Sequence, residues 1–140
     1  MPVNLEIVSP EKLLLSRLVD MVVIPASEGD MGVLEGHAPM IVMLRGGAIS
    51  LYEDDRVTDS LFVAGGFAEV TPERCTVLAN EVMPIAEASK EEGERRLAAA
   101  EADYASLDQA DTAAQELALE RQQSARAMIE AAEGLLSGQH

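Results

Sequence analysis

The chain has 140 residues, with 25 acidic side chains against 10 basic ones and a formal net charge of −15. That balance excludes a nucleic-acid binder, which needs clustered Lys and Arg, and disfavours an anionic membrane surface. The length fits one ordinary domain, or a small domain with an appendage. With 3% aromatics and no tryptophan, the core has to be built from Val, Leu, Ile, Met and Ala.

The first half reads as short strands. Val3, Leu5 and Ile7 alternate with Asn4 and Glu6, a period of two. Val19 to Ile24 is a β-branched run ending at Pro25. Ser27 to Pro39 then interrupts the strand-like pattern with three glycines, a proline and the internal histidine His37. A loop this dense in glycine and charge is where a small β domain presents a contact surface. The longest apolar run, Ala38 to Leu44, is too short to span a bilayer.

Ala48, Ser50 and Tyr52 alternate with Ile49 and Leu51, and Glu53-Asp54-Asp55-Arg56 is a hairpin turn. Leu61 to Ala64 and Phe67 to Val70 flank Gly65-Gly66. Thr71 to Arg74 is another turn, and Thr76 to Ala79 a last strand. Short strands with turn signals every few residues predict a sandwich or barrel, with Gly46-Gly47 and Gly65-Gly66 at bulges or bends.

After Pro84 the pattern turns helical. Ser89 and Glu92 form a capping box, and Glu91/Arg95 and Glu92/Arg96 are i,i+4 pairs. A break falls near Asp108 to Asp111. Thr112 and Gln115 form a second capping box, and the second helix runs to about Leu136 with Gly138 closing it. Leu97, Ala100, Tyr104 and Leu107 face Ala114, Leu117, Ala125, Met128, Ala132 and Leu135 in a helical hairpin. Burying alanine gains little at roughly 25 cal/mol per Å², so the hairpin is expected to be the less stable half. The reading is therefore α+β, with a β domain over 1–86 and a hairpin over 87–140.

Chemistry is hard to find. Neither phosphate-cradling glycine loop is present. The single cysteine, Cys75, excludes an internal disulfide and has no partner for the usual zinc sites. Cys75 with His37 is a formal nucleophile pair that no pattern supports. Glu28, Asp30, Glu35 and His37 do not fit a calcium loop. No cofactor, metal or catalytic residue is expected. The N-terminus shows no basic stretch leading into an apolar run, so no signal peptide is expected. Two roles stay open for His37: fixing the loop or facing a partner.

The Ser27–Pro39 loop resembles the signature loop of the epsilon subunit of bacterial F-type ATP synthase. Leu5-Glu6-Ile7-Val8-Ser9-Pro10, Gly46-Gly47, Ala64-Gly65-Gly66-Phe67-Ala68-Glu69-Val70 and Val77-Leu78-Ala79 agree in order, and the Ala-rich tail follows. The resemblance implies a ten-stranded β-sandwich, or flattened barrel, followed by a two-helix antiparallel hairpin. It implies a non-catalytic central-stalk subunit, peripheral on the cytoplasmic face of the bacterial inner membrane. Its partners would be the gamma subunit and the c-ring, with transient contact to the alpha and beta subunits. Glu28, Asp30, Met31 and His37 match the loop that faces the c-ring.

Three departures matter. Glu35 stands where many members have proline, which removes a fixed φ. Ala88-Ser89-Lys90-Glu91-Glu92-Gly93 lacks the aspartate and arginine of the family's nucleotide motif, so ATP binding is not expected. Residues 112–140 carry Arg121 and Arg126 against Glu116, Glu120, Glu130 and Glu133, net −2. The hairpin is then expected to be at most a weak brake on ATP hydrolysis. The alternative reading is a stand-alone sandwich adaptor that binds another protein through the 27–39 loop.

Overall fold

Every second residue from Val3 to Ile7 is fully buried, which fixes the first strand, β1 (Val3–Val8), with one face on the core. The computed structural model describes residues 2–134. The strands that follow are β2 (Leu13–Val19), β3 (Met21–Ala26), β4 (Gly29–Val33), β5 (Met40–Leu44) and β6 (Gly47–Glu53). Then come β7 (Arg56–Val63), β8 (Gly66–Val70), β9 (Arg74–Leu78) and β10 (Val82–Pro84). A 3-10 turn, Ile85–Glu87, leads to α1 (Lys90–Ser106) and α2 (Thr112–Ala132).

The ten strands form one sheet in the order β10-β7-β6-β3-β5-β8-β9-β1-β2, with β4 added beside β3. The sheet curls on itself as the expected flattened barrel. Its neighbours are antiparallel except β1 with β9, where Val8 pairs with Leu78. Arg17 on β2 reaches Glu53 at 3.1 Å and Asp59 at 3.4 Å, drawing the β2 end of the sheet onto the β6–β7 hairpin. Leu5, Ile7, Val22, Ile24, Val33, Ile49, Leu51 and Val77 fill the interior with no solvent exposure.

The structure departs from the sequence reading at several points. The run Val19–Ile24 is not one strand. It is split at Asp20, whose N–H donates to the Tyr52 carbonyl and whose carboxylate accepts from the Asp54 N–H. The glycine-rich segment contains β4, paired with β3 from Val22–Val33 to Ala26–Gly29, so the turn proper is Ser27-Glu28. β2 carries no clean sequence signature, because Leu13, Leu14 and Leu18 are all exposed and break the alternation. The Glu53–Arg56 turn is as read: Asp54 and Asp55 take φ of 54° and 64°, the left-handed pair a tight hairpin requires.

Cap and seam details also shift. Ser89 caps α1 by accepting from the Glu92 N–H at 3.1 Å. The cap of α2 is Asp111, accepting from the Ala114 N–H at 3.1 Å, and Thr112 is the first helical residue. The second helix ends at Ala132, with Gly134 beyond it at φ 76°. Leu135, Leu136 and Gly138 lie outside the described residues. Arg95 pairs with Glu92 instead of Glu91. On α2 the buried set is Ala118, Gln122, Ala125, Ala127, Met128 and Ala131, while Leu117 is 48% exposed. The face read from hydrophobicity is rotated because α2 has two neighbours. Ala125 and Ile129 meet Gly93 of α1, and Ala127, Met128 and Ala131 meet Phe62 of β7.

Candidate functional site

The predicted contact residues sit around the β3–β4 hairpin. Glu28 is exposed at its tip. Asp30 is held by Arg45, whose guanidinium lies 2.7 Å from its carboxylate and also donates to the Ala26 carbonyl at 2.6 Å. That fork stiffens the hairpin and fixes where the Asp30 charge sits. Met31 turns inward and packs against the sandwich core. His37 is half-buried, with Nδ1 2.9 Å from the Ala38 carbonyl oxygen. Of the four, Glu28 is exposed at the tip, Asp30 is ion-paired, Met31 faces the core and His37 contacts the backbone of its own loop.

Glu35 is exposed, and the glycine after it explains how the loop keeps its shape without proline. Gly36 has φ 87°, and its N–H donates to the Pro72 carbonyl at 2.7 Å. The loop is thus tied to the β8–β9 turn through backbone alone.

An apolar surface, missed in the sequence, runs over the outer face of the sheet. Met43 pairs with Phe67, Phe67 with Leu78, Leu78 with Val8, and Val8 with Leu13. Register puts all five on one row across β5, β8, β9, β1 and β2. Met43 is 62% exposed, and its neighbour Ile41 70%. Sequence alternation hides this row, because the row takes a single residue from each strand. Only cross-strand register joins them.

A cleft of about 590 Å³ separates the sandwich from the hairpin. It is lined by Gly65, Gly66 and Glu81 on one side and by Arg95, Arg96 and Arg121 on the other. Each of these arginines is already paired. Arg96 makes a fork to Glu81 at 2.6 and 2.8 Å and bonds Glu92 at 2.8 Å. Arg95 bonds Glu92 at 2.9 Å, and Arg121 lies 3.8 Å from Asp103. The Arg95 and Arg96 guanidiniums hold the Glu92 carboxyl down at about 2. Glu81, with Glu92 behind it, pushes the Arg96 guanidinium further up from its ordinary value.

Cys75 is fully buried on β9, and burial pushes its thiol up to about 12, so it stays protonated and inert. Among the described residues no three His, Cys, Asp or Glu side chains gather as a metal site, and no helix is long and apolar enough to cross a membrane.

Residues 2–85 match the family model described as the ATP synthase delta/epsilon chain β-sandwich domain. The chain is 66% identical over 129 residues to the ATP synthase epsilon chain of Granulibacter bethesdensis, covering 92% of this chain and 96% of that one. It is 48% identical over 134 residues to that of Gluconacetobacter diazotrophicus, covering 96% and 95%. A structure of the Euglena gracilis mitochondrial ATP synthase with its F1 and c-ring holds a similar chain. The TM-score is 0.69 at 27% identity, over 90% of this chain and 80% of that one. A chain of the Tetrahymena thermophila central stalk and c-ring shares the fold, with a TM-score of 0.63 at 13% identity.

Proposed function

The chain belongs to the epsilon-chain family of F-type ATP synthase, the rotor-stalk subunits, and from that premise we propose how its surfaces divide the work. The outer apolar row Met43–Phe67–Leu78–Val8–Leu13 packs on the gamma subunit. The tip of the β3–β4 hairpin meets the polar loops of the c-ring. The observation that carries this reading is the row itself, exposed at Met43, Phe67 and Leu13 and half-buried at Leu78 and Val8: a contiguous apolar band on an outer face marks a protein interface.

At the hairpin tip, Glu28 and Asp30 supply charge to basic c-ring loops, while Met31 and His37 keep the loop in shape. Opposite charge across such a contact aids register and encounter more than raw affinity. The subunit transmits torque between ring and gamma, with no catalytic residue of its own. It sits peripherally on the cytoplasmic face of the bacterial inner membrane. The chain divides near residue 86 into a coupling sandwich, 1–86, and a hairpin, 87–140, that brakes hydrolysis weakly if at all. Net negative charge on the second helix opposes its approach to acidic segments of the catalytic subunits.

The test is a pull-down on the purified gamma subunit. Phe67→Asp with Met43→Asp is expected to abolish retention while the sandwich stays folded by circular dichroism. A folded double variant retained like the unaltered chain would overturn the assignment of the row. A chain that never binds gamma, but is captured through the 27–39 loop by another protein, would favour the adaptor reading. Deleting residues 87–140 is expected to leave ATP hydrolysis by the reconstituted enzyme within about twofold, and a several-fold rise would refute the weak brake.

A further inference from the structure

Apolar packing between hairpin and sandwich is thin. Phe62 and Met128 are the two large fully buried side chains in that cluster, ringed by alanines and by the half-buried Met83 and Ile85. Polar contacts supplement this cluster, and several are aimed at backbone. Gln123 on α2 engages both peptide groups of Gly46: its Oε1 accepts from the Gly46 N–H at 2.8 Å and its Nε2 donates to the Gly46 carbonyl at 2.7 Å. This is what a neighbouring strand would do. The next residue, Ser124, donates its hydroxyl to the Ala64 carbonyl at 2.8 Å. Gly46 follows β5 and Ala64 follows β7, so α2 satisfies backbone groups where two strands leave their ladders.

The second fastener is ionic. Arg96 of α1 forks onto Glu81 in the segment between β9 and β10, with both side chains about one-third exposed. Ionic and amide fasteners respond differently to salt. At 1 M salt the screening length falls to roughly 3 Å, which weakens this partly buried ion pair, less than a fully exposed one, whereas the neutral amide pair on backbone carries no net charge to screen. In the cleft beside them, Arg95, Arg96 and Arg121 already have carboxylate partners.

We propose that these contacts form a two-part latch set by the chain itself: Gln123 on Gly46, with the Ser124 bond to Ala64 secondary to it, holds the hairpin docked at any ionic strength, and Arg96 on Glu81 is an auxiliary, salt-sensitive fastener. Release requires loss of both parts, so salt alone does not free the hairpin. The inference concerns the isolated chain and stands apart from which surface meets gamma.

The experiment is amide hydrogen exchange on the full chain at 50 mM and 1 M NaCl, read separately over the helices and over β1 and β9. Gln123→Glu keeps the shape but replaces the donor with a carboxylate facing the Gly46 carbonyl. It is expected to raise exchange in α2 at least tenfold at 1 M NaCl, and less at 50 mM, with β1 and β9 unchanged. Arg96→Gln alone is expected to change little at either salt, and the double variant to release at both. Gln123→Asn, neutral and one carbon shorter, is expected to behave as Gln123→Glu does. Wild-type exchange in Gln123→Glu at 1 M NaCl would overturn the latch. So would release by Arg96→Gln alone, or release by Gln123→Glu without release by Gln123→Asn.

Discussion

Replacing Gly46 with alanine should undock the hairpin without harming the sandwich. A β-carbon at this position would lie 2.6 Å from the Ser124 Cα and 3.0 Å from its hydroxyl oxygen. Carbon atoms in contact sit about 3.5–4.0 Å apart, so helix and strand end must part by roughly 1 Å. Overpacking of this kind costs about 1–3 kcal/mol. The displacement also takes the Gln123 pair out of range, and two hydrogen bonds contribute about 1 kcal/mol each. The sum is comparable with the gain from burying Phe62 and Met128, about 1.5–3 kcal/mol apiece. A hairpin facing that strain leaves the surface. The assay is tryptic cleavage after Arg121 and Arg126, followed with exchange over α2, in 1 M NaCl so that the Arg96–Glu81 fastener is weakened as well. Gly32→Ala is the control, because its added carbon meets only the Met21 sulfur, at 3.5 Å. Gly46→Ala is expected to be cleaved at least tenfold faster than Gly32→Ala. Equal rates would refute the steric argument.

Gly66→Ala should instead strike the sandwich. Gly66 has φ 126°, and an added β-carbon would collide with the Leu78 carbonyl oxygen, so β8 must shift on β9. A cost of about 3 kcal/mol or more is expected, read as a lower thermal midpoint. Acid should loosen the first turn of α1 late. Glu92 titrates at about 2 instead of 4.5, so its contribution is complete above pH 4.5 and is lost as pH falls from there towards 2. Carbon-detected NMR of the carboxyl should give that midpoint, and Arg95→Gln should raise it. Calorimetry with millimolar ATP should show no saturable heat, because the cleft arginines are held by Glu81, Glu92 and Asp103. Saturable binding would show that nucleotide displaces those carboxylates.

Strands with clean alternation and turns with marked residues were legible directly. Val3–Ile7 and the Asp54-Asp55 turn owe their form to local sequence. The helical hairpin was legible from its caps and the break near Asp108 to Asp111, and the resemblance supplied the strand number. What escaped depended on distant partners. Asp20 splits an apolar run because Tyr52 and Asp54 bond it from across the sheet. Gln122 and Ala118 are buried where Leu117 is exposed, because α2 serves both α1 and β7. The outer row Met43–Leu13 is five separate residues until register aligns them. In the loop, Glu28 and His37 could be picked out by type. The Arg45 fork on Asp30 joins residues 15 apart and leaves no local mark.

The parallel pairing of β1 with β9 sets a schedule for the nascent chain. Ribosomes add about 5–20 residues per second, so β1 waits some 4–14 s before the segment around Leu78 follows Val8 out of the exit tunnel. During that interval β1 can pair only with β2, and the buried side chains of Val3, Leu5 and Ile7 lack the strand that completes their layer. The subunit's exposure to aggregation and to chaperones is therefore concentrated in the middle of its synthesis, before any helix has been made.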